Sequence, residues 1–541
     1  LAYGQSCAHA TTSRRTERRD LYPQGVASGD PLTEAVMLWT RFAPDGDGRI
    51  GWEISEDEAF VQIATRGEAI ASARNDYCVK VDVRGLSPGR RYFYRFLSAS
   101  GPSPTGRTLT APRAGAERLN VALFSCANLA WGYFHAYGDA AARDDIDLVL
   151  HVGDYIYELE RGAYPSAADA LAGRTIEPPH EIVSLDDYTH RYASYHADPD
   201  LLELRRLKPI CAVWDDHEIA DNAWREGALN HQSNEGAFTN RAAAAAKAYF
   251  DWLPIRAPAR RGPRLHRALD WGDLARILLL DTRFIGRDRQ IEARELARRL
   301  TEDGADRPAL VAEFRRALDD PRRSMLGAAQ ERWLSETLAA SKRRGQIWQI
   351  LTQQVVVGDQ VAPPEFTRML RPEASSSTRS YINGGVAMSA LGLPANPDAW
   401  AGYPAARTRL LAACAAHANS AILLGGDTHN CWANNLTAPG GGRLAALEFA
   451  GGSVSSPGLE RHLTLAATGE RERVMQAANA DLAWCDVSHR GYGALSFTRN
   501  ACAAEWRAVS DNRSPARAPL ATTRLNAEPG GAAGPGLWTA A

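Results

Sequence analysis

Between about Val26 and Pro112, apolar and polar positions alternate in short runs such as "AVMLWTRF" and "DYCVKVDV". The run "RRYFYRFLSAS" follows the turn sequence "LSPG", and "TGRTLTAP" closes the stretch. A period of two, carried by β-branched and aromatic residues and broken by Gly, Pro and Ser turns, predicts a small antiparallel β-sandwich. From about Arg118 the rhythm changes. The apolar runs "LNVALFSC", "IDLVLHVGD", "ICAVWDD", "ARILLLDTR", "IWQILTQQVV" and "AILLGGDTH" alternate with helical stretches such as "TNRAAAAAKAYFDWL" and "AAQERWLSETLAASKRRG". Unbroken apolar runs separated by helices predict an α/β domain whose strands are covered on both faces. Polar insertions at 159–209 and 287–324 predict lids or partial helices. The Gly- and Pro-rich end, "NAEPGGAAGPGLWTAA", predicts a mobile tail. The expected organisation is an N-terminal extension over 1–20, a sandwich over 21–115, an α/β domain over 116–510 and a tail over 511–541.

Bulk properties narrow this picture only slightly. A chain of 541 residues with 45% apolar residues supports large cores, and a net charge of −2 gives no electrostatic case for nucleic acid or an anionic membrane as a main partner. No apolar run approaches the ~20 residues of a membrane span. "SRRTERR" carries paired arginines without a following hydrophobic stretch, so it is not an intact export signal. The chain starts with Leu. A periplasmic or secreted setting is the expectation, with oligomeric state left open. The eight cysteines form no CxxC pair and are too sparse for a disulfide scaffold.

The chemistry collects where the apolar runs end. These ends carry Cys126, then Asp154 with Tyr157 and Glu158, then Asp215, Asp216, His217 and Glu218 with Asn222 close behind, and finally Asp427 and His429. In an open α/β sheet, ligands bind beyond the carboxyl ends of the strands, so one crevice would gather all of them. Taken singly, each has an ordinary structural reading. Cys126 serves as a small buried apolar residue. Asp216 serves as a helix cap and Glu218 as a favourable charge in its first turn. Their recurrence at successive strand ends favours a metal site. Carboxylates suit hard cations such as Ca²⁺, while thiolate, phenolate and imidazole suit a transition metal such as iron. Two unlike cations sharing the Asp154 carboxylate is the expected arrangement.

The ordered set "SC", "GDYIYE", "WDDHE" and "GDTHNCW" resembles the calcineurin-like metallophosphoesterases and, more narrowly, the PhoD-type alkaline phosphatases and phosphodiesterases. "YPQGVASGDP" and "EFAGGSVSSPG" fit the same family, and the likeness runs from about Leu21 to Ala508. The stretch "LSPGRRYFYRF … GRTLTAP" resembles a fibronectin type III-like domain. The resemblance implies a four-layer αββα phosphoesterase domain after the sandwich. It implies Fe³⁺ on Cys126, Asp154, Tyr157 and His429, and Ca²⁺ or another divalent ion on Asp154, Asp216 and Asp427, with a remaining ligand among Gln353, Gln354 and Asn222. It further implies hydrolysis of phosphate monoesters or diesters by a metal-bound hydroxide, with His217 near the leaving group.

Asn222 is expected to contact metal or phosphate, and Arg241 to clamp a nonbridging oxygen. Arg283 is expected in a salt bridge at the surface. Ser455 and Ser456 are expected as turn formers, since no Gly-x-Ser-x-Gly elbow is present. Two alternatives stay in view. One is diesterase, nuclease or phospholipase D-like use of the same centre. The other is a non-catalytic surface binding protein held together by metal.

Overall fold

The apolar runs after Arg118 become the central strands of two large sheets in the computed structural model of the protein. The structure describes residues 17–42, 47–257, 265–300, 302, 304, 306–464, 469–518, 520–530 and 535–540. Most of the expected N-terminal extension lies outside these residues. In the first sheet, Arg118–Phe124, Leu148–His151 and Ile210–Ala212 run parallel, with Val121 opposite Leu148 and Val149 opposite Ile210. In the second, Ala275–Leu279, Trp348–Thr352 and Ser420–Gly425 run parallel, with Ile277, Ile350 and Ile422 in one row. The first sheet has ten strands and the second seven.

Side-chain direction explains why these runs show no polar alternation. Ile277, Leu279, Ile350, Ile422 and Leu424 share one core with Val121, Leu123 and Val149 of the first sheet. The intervening Leu278, Leu280, Leu351 and Leu423 pack instead with Leu334 and Leu338 of helix Gly327–Arg343 and with Leu410 and Leu411 of helix Pro404–His417. Helices His135–Ala142, Pro199–Leu207 and Phe238–Trp252 bring Tyr137, Leu204 and Tyr249 to the first sheet. Because both faces of each sheet are dry, apolar residues occupy consecutive positions. The architecture is αββα, as expected.

The N-terminal sandwich also forms. A five-stranded sheet, which includes Gly48–Ser55 and Arg91–Ser98, closes a core of Ile50, Ile54, Tyr92, Tyr94 and Phe96 against Val36, Leu38, Val79 and Val83. The facing layer is not separate from the α/β body. Its strand Val26–Leu32 pairs in parallel with Ile210–Ala212 at Gly29 and Ile210, which makes it part of the ten-stranded sheet. Glycine is required at that contact, because a Cβ on Gly29 would lie 2.3 Å from the Ile210 carbonyl oxygen and 2.4 Å from that of Pro254.

The tail corrects its expectation. Ala521–Ala527 pairs antiparallel with Cys502–Val509, and the buried Trp538 donates its indole N–H to the Glu448 carbonyl at 2.9 Å. Among the described residues, no helix is long and apolar enough to cross a membrane.

Candidate metal centre

Four strand ends meet. The ligand atoms of Cys126, Asp154 and His429 lie within 4.8 Å of one another, as do those of Asp154, Asp216 and His217, and those of Asp215, Asp216 and Asp427. Asp154 and Asp216 each belong to two of these groups, so the three merge into one continuous cluster. The backbone is turned sharply to achieve this. Cys126, Asp154, Asn222, Asp427 and His429 all have positive φ, between 52° and 68°. Such a conformation costs on the order of 1–3 kcal/mol for a non-glycine residue and persists only where the surroundings enforce it.

The enforcing contacts are visible. The N–H of Cys126 donates to the Gly153 carbonyl at 3.1 Å, and the N–H of Ala127 to the Asp154 carbonyl at 2.9 Å. Gly153 has φ 106°, and a Cβ there would fall 2.3 Å from the Asp215 nitrogen, so only glycine lets the two loops touch. The buried Glu218 carboxylate ties these loops together. It accepts from the backbone N–H groups of Asp154 at 3.2 Å, Tyr155 at 2.6 Å and Asp215 at 2.7 Å.

On one side of Asp154, the Tyr157 hydroxyl donates to Asp154 Oδ2 at 3.1 Å, with Ser456 Oγ at 2.7 Å and His429 Nε2 at 3.4 Å. His429 Nδ1 donates to the Pro457 carbonyl at 2.8 Å, which leaves Nε2 as a bare lone pair facing the cluster. On the other side, His217 Nδ1 donates to Glu158 Oε2 at 2.6 Å. Burial works against an imidazolium here, but Glu158, Asp216 and Asp154 outweigh it and hold the ring protonated well above the usual range. Glu158 is itself fixed by the Asp221 N–H at 2.7 Å and the Asn230 amide at 2.8 Å.

The residues present fit cations. Asp154 Oδ1 and Asp215 Oδ2 are buried oxygens with no hydrogen-bond partner. Burial, reinforced by neighbouring carboxylates, pushes Asp154 and Asp427 far above the carboxylate range and Asp215 up to about 7. Burial likewise raises the Cys126 thiol and lowers His429 to about 3. A positive ion reverses the penalty on every carboxylate and on the thiolate, and finds His429 already neutral.

The segment 121–506 matches the family model described as PhoD-like phosphatase, and 6–112 matches the model of the PhoD-like phosphatase N-terminal domain. The chain belongs to the PhoD-like phosphatase family. It is 34% identical over 452 residues to alkaline phosphatase D of Bacillus subtilis, covering 80% of this chain and 69% of that protein. A solved structure of PhoD superposes with a TM-score of 0.74 at 28% identity, over 97% of this chain and 92% of that one. The chain is therefore a phosphoesterase, and the non-catalytic alternative falls away.

Within this PhoD-like phosphatase, several expectations need correction. Arg241 is not free to clamp a phosphoryl oxygen. Its Nε donates to the Tyr188 hydroxyl, Nη1 to the Asn230 carbonyl and Glu235, and Nη2 to Glu181 and the Ile182 carbonyl. All five guanidinium N–H groups are thus engaged. It instead holds the Asn230 carbonyl, and the Asn230 amide in turn donates to Glu158. Gln353 and Gln354 are also committed elsewhere. Gln353 Oε1 accepts from Val355 N–H and the Trp400 indole, while Gln354 Oε1 accepts from Thr282 and its amide donates to the Leu280 carbonyl. Asn222 stays at the centre's edge, with its backbone N–H donating to Asp216 Oδ2 at 2.6 Å.

Arg283 is not at the surface. It is fully buried, donating to Asp215, to Asp398 at 2.6 Å and to Asp427 at 2.8 Å, with Asp216 at 3.6 Å. The clue in the sequence was that "LLLDTR" is itself a strand end. Ser456 does more than form a turn, since its hydroxyl orients Tyr157.

Proposed function

We propose that this enzyme hydrolyses phosphate monoesters or diesters at a two-cation centre, with Fe³⁺ held by Cys126, Asp154, Tyr157 and His429. Ca²⁺ or a related divalent ion is held by Asp154, Asp216 and Asp427. The carrying observation is the continuous buried cluster through Asp154 and Asp216, with carboxylate oxygens that no protein donor meets. Bound there, the cations neutralise phosphoryl oxygens and activate a water. Asp154 belongs to both halves of the site and its two oxygens would serve both cations. The Tyr157 hydroxyl donates to one of those oxygens when no cation is bound; as an iron ligand it would be a phenolate, able to accept from Ser456. His217 is clamped by Glu158 through Nδ1, turns its other edge away from that carboxylate, and passes a proton to the leaving oxygen. Asn222 steadies a nonbridging oxygen from the rim. Arg283 orients Asp215 and Asp427 and partly offsets the cost that burial puts on their ionised forms.

The donor chemistry supports the metal choice. Thiolate, phenolate and imidazole together favour iron, whereas an all-carboxylate half favours a hard cation. The same reading places the enzyme in a periplasmic or secreted setting, on family membership alone, and cell fractionation of the source organism checks this. Turnover of p-nitrophenyl phosphate and bis-p-nitrophenyl phosphate across neutral to alkaline pH tests the activity. His217→Ala is expected to lower kcat by roughly 10²–10⁴-fold while metal content stays as in wild type. Wild-type protein that turns over neither ester would contradict the reading.

A further inference from the structure

Helix Ser376–Ala390 carries adjacent glycines, Gly384 and Gly385, in its interior, where glycine weakens a helix. Their positions give a reason. A Cβ on Gly384 would meet nothing within 4 Å, and one on Gly385 would point toward Ala395 and Ala362 at 3.6 and 3.7 Å. Gly385 borders two cavities at once. One, of about 300 Å³, includes Asp427 and His429 and is walled by Phe366, Trp432 and Met475. The other, of about 690 Å³, reaches Asn222 and Asp398 and is walled by Leu229, Ile291 and Met388. Tyr381, Ala395 and Asn396 are common to both. A phosphate held beside Asp154 and Asp216 therefore has one cavity on its Asp427–His429 side and the other on its Asn222–Asp398 side.

The chemistry of the linings is one-sided. Among the described residues, neither lining contains Lys or Arg, and the acids in them are already paired, Asp427 and Asp398 with Arg283 and Glu292 with Arg289, while burial lowers the pKa of His462 in the first. A further phosphate or carboxylate on the substrate would find no lysine or arginine in either lining to receive it. Apolar surface also extends to the entrance. Three of the seven exposed large hydrophobic residues among those described, Leu229, Val361 and Tyr381, line these cavities.

The geometry points to a phosphodiester substrate whose two ester substituents are uncharged and apolar, alkyl or aryl, with Gly385 setting the passage between their two cavities. This rests on the phosphoesterase centre proposed above. It excludes polyanionic diesters such as nucleic acid as preferred substrates.

The test uses p-nitrophenyl diesters that share one leaving group and differ in the second substituent: methyl, hexyl and carboxypentyl. The hexyl ester is expected to exceed the methyl ester in kcat/KM by about tenfold or more, and the carboxypentyl ester to fall well below the hexyl. Gly385→Leu is expected to cut the hexyl-to-methyl ratio by about tenfold, since its side chain enters the shared space. Tyr381→Lys, an exposed substitution with little bearing on folding, is expected to shift preference toward the carboxypentyl ester. A flat series, or a preference for the carboxylate in wild type, overturns the inference while leaving the phosphoesterase reading standing. No turnover of any diester, with the monoester still cleaved, also overturns it. Loss of turnover on every ester would instead strike the centre itself.

Discussion

At the scale of single residues, the centre depends on groups that never touch a substrate. Arg283 is the sharpest case, because it lies buried among Asp215, Asp216, Asp398 and Asp427. Removing one partner from a buried ionic network leaves uncompensated charge and costs roughly 3–5 kcal/mol. Arg283→Leu is accordingly expected to lower stability by about that amount in urea unfolding of the metal-free protein, where no cation compensates the acids. Glu158 is the second case. Glu158→Gln keeps the shape but weakens the clamp on His217, and kcat is expected to fall by roughly 10–100-fold, the scale on which orienting partners of functional histidines act. Elemental analysis of that variant should show wild-type metal. Loss of metal would instead make Glu158 a structural support of the whole centre.

These residues also mark where sequence reasoning stopped. Cys126, Asp154, Asp216, Asp427 and His429 stand at strand ends, so an elementary rule of α/β sheets finds them. Arg241 and Arg283 look alike in a sequence. What separates them is which acceptors the fold brings to each, and for Arg283 two of those, Asp398 and Asp427, lie more than a hundred positions away.

At the scale of elements, helix Leu185–Tyr195 shows how an insertion that was hard to read serves the site. Ser184 and Asp187 form a capping box at its start. From its middle, the buried Arg191 donates to the carbonyls of Tyr157 and Leu159, just beyond Asp154. Ser184→Ala is expected to cost about 1 kcal/mol in unfolding free energy. Asp187 adds a pH signature. Burial would raise its carboxyl, but hydrogen bonds from Ser184, His180 and Val183 outweigh this and hold it down to about 2. A folded-state value below the ordinary ~3.9 stabilises the protein above that pH, and the contribution disappears as pH falls through about 2. The difference in urea midpoint between wild type and Asp187→Asn is therefore expected to shrink over that window. A gap that stays constant would show that Asp187 is not ionised to advantage.

At the scale of the whole molecule, the layer order was readable because doubly buried strands leave unbroken apolar runs and a half-buried sandwich leaves alternation. The joint between the two bodies was not readable. Its strand pairing runs through one close approach at Gly29, and a glycine in "ASGDP" does not announce a parallel partner nearly two hundred residues away. The tail misled for a related reason, since glycine and proline content hid a strand that pairs only through tertiary contact.

The proposed metal ligands come from four separate strand ends, so cation binding would link the two sheets. Chelation is expected to lower the unfolding free energy by the linkage contribution, about 2.7 kcal/mol for each ion whose free concentration stood at a hundred times its Kd.

The most direct test of the central claim is the metal content of purified wild-type protein beside Asp154→Asn. The account predicts iron together with a hard divalent cation such as calcium in the wild type, and loss of both in the variant, because Asp154 joins the two halves. Protein that binds no metal, that carries zinc in both positions, or that keeps both ions after Asp154→Asn would contradict it.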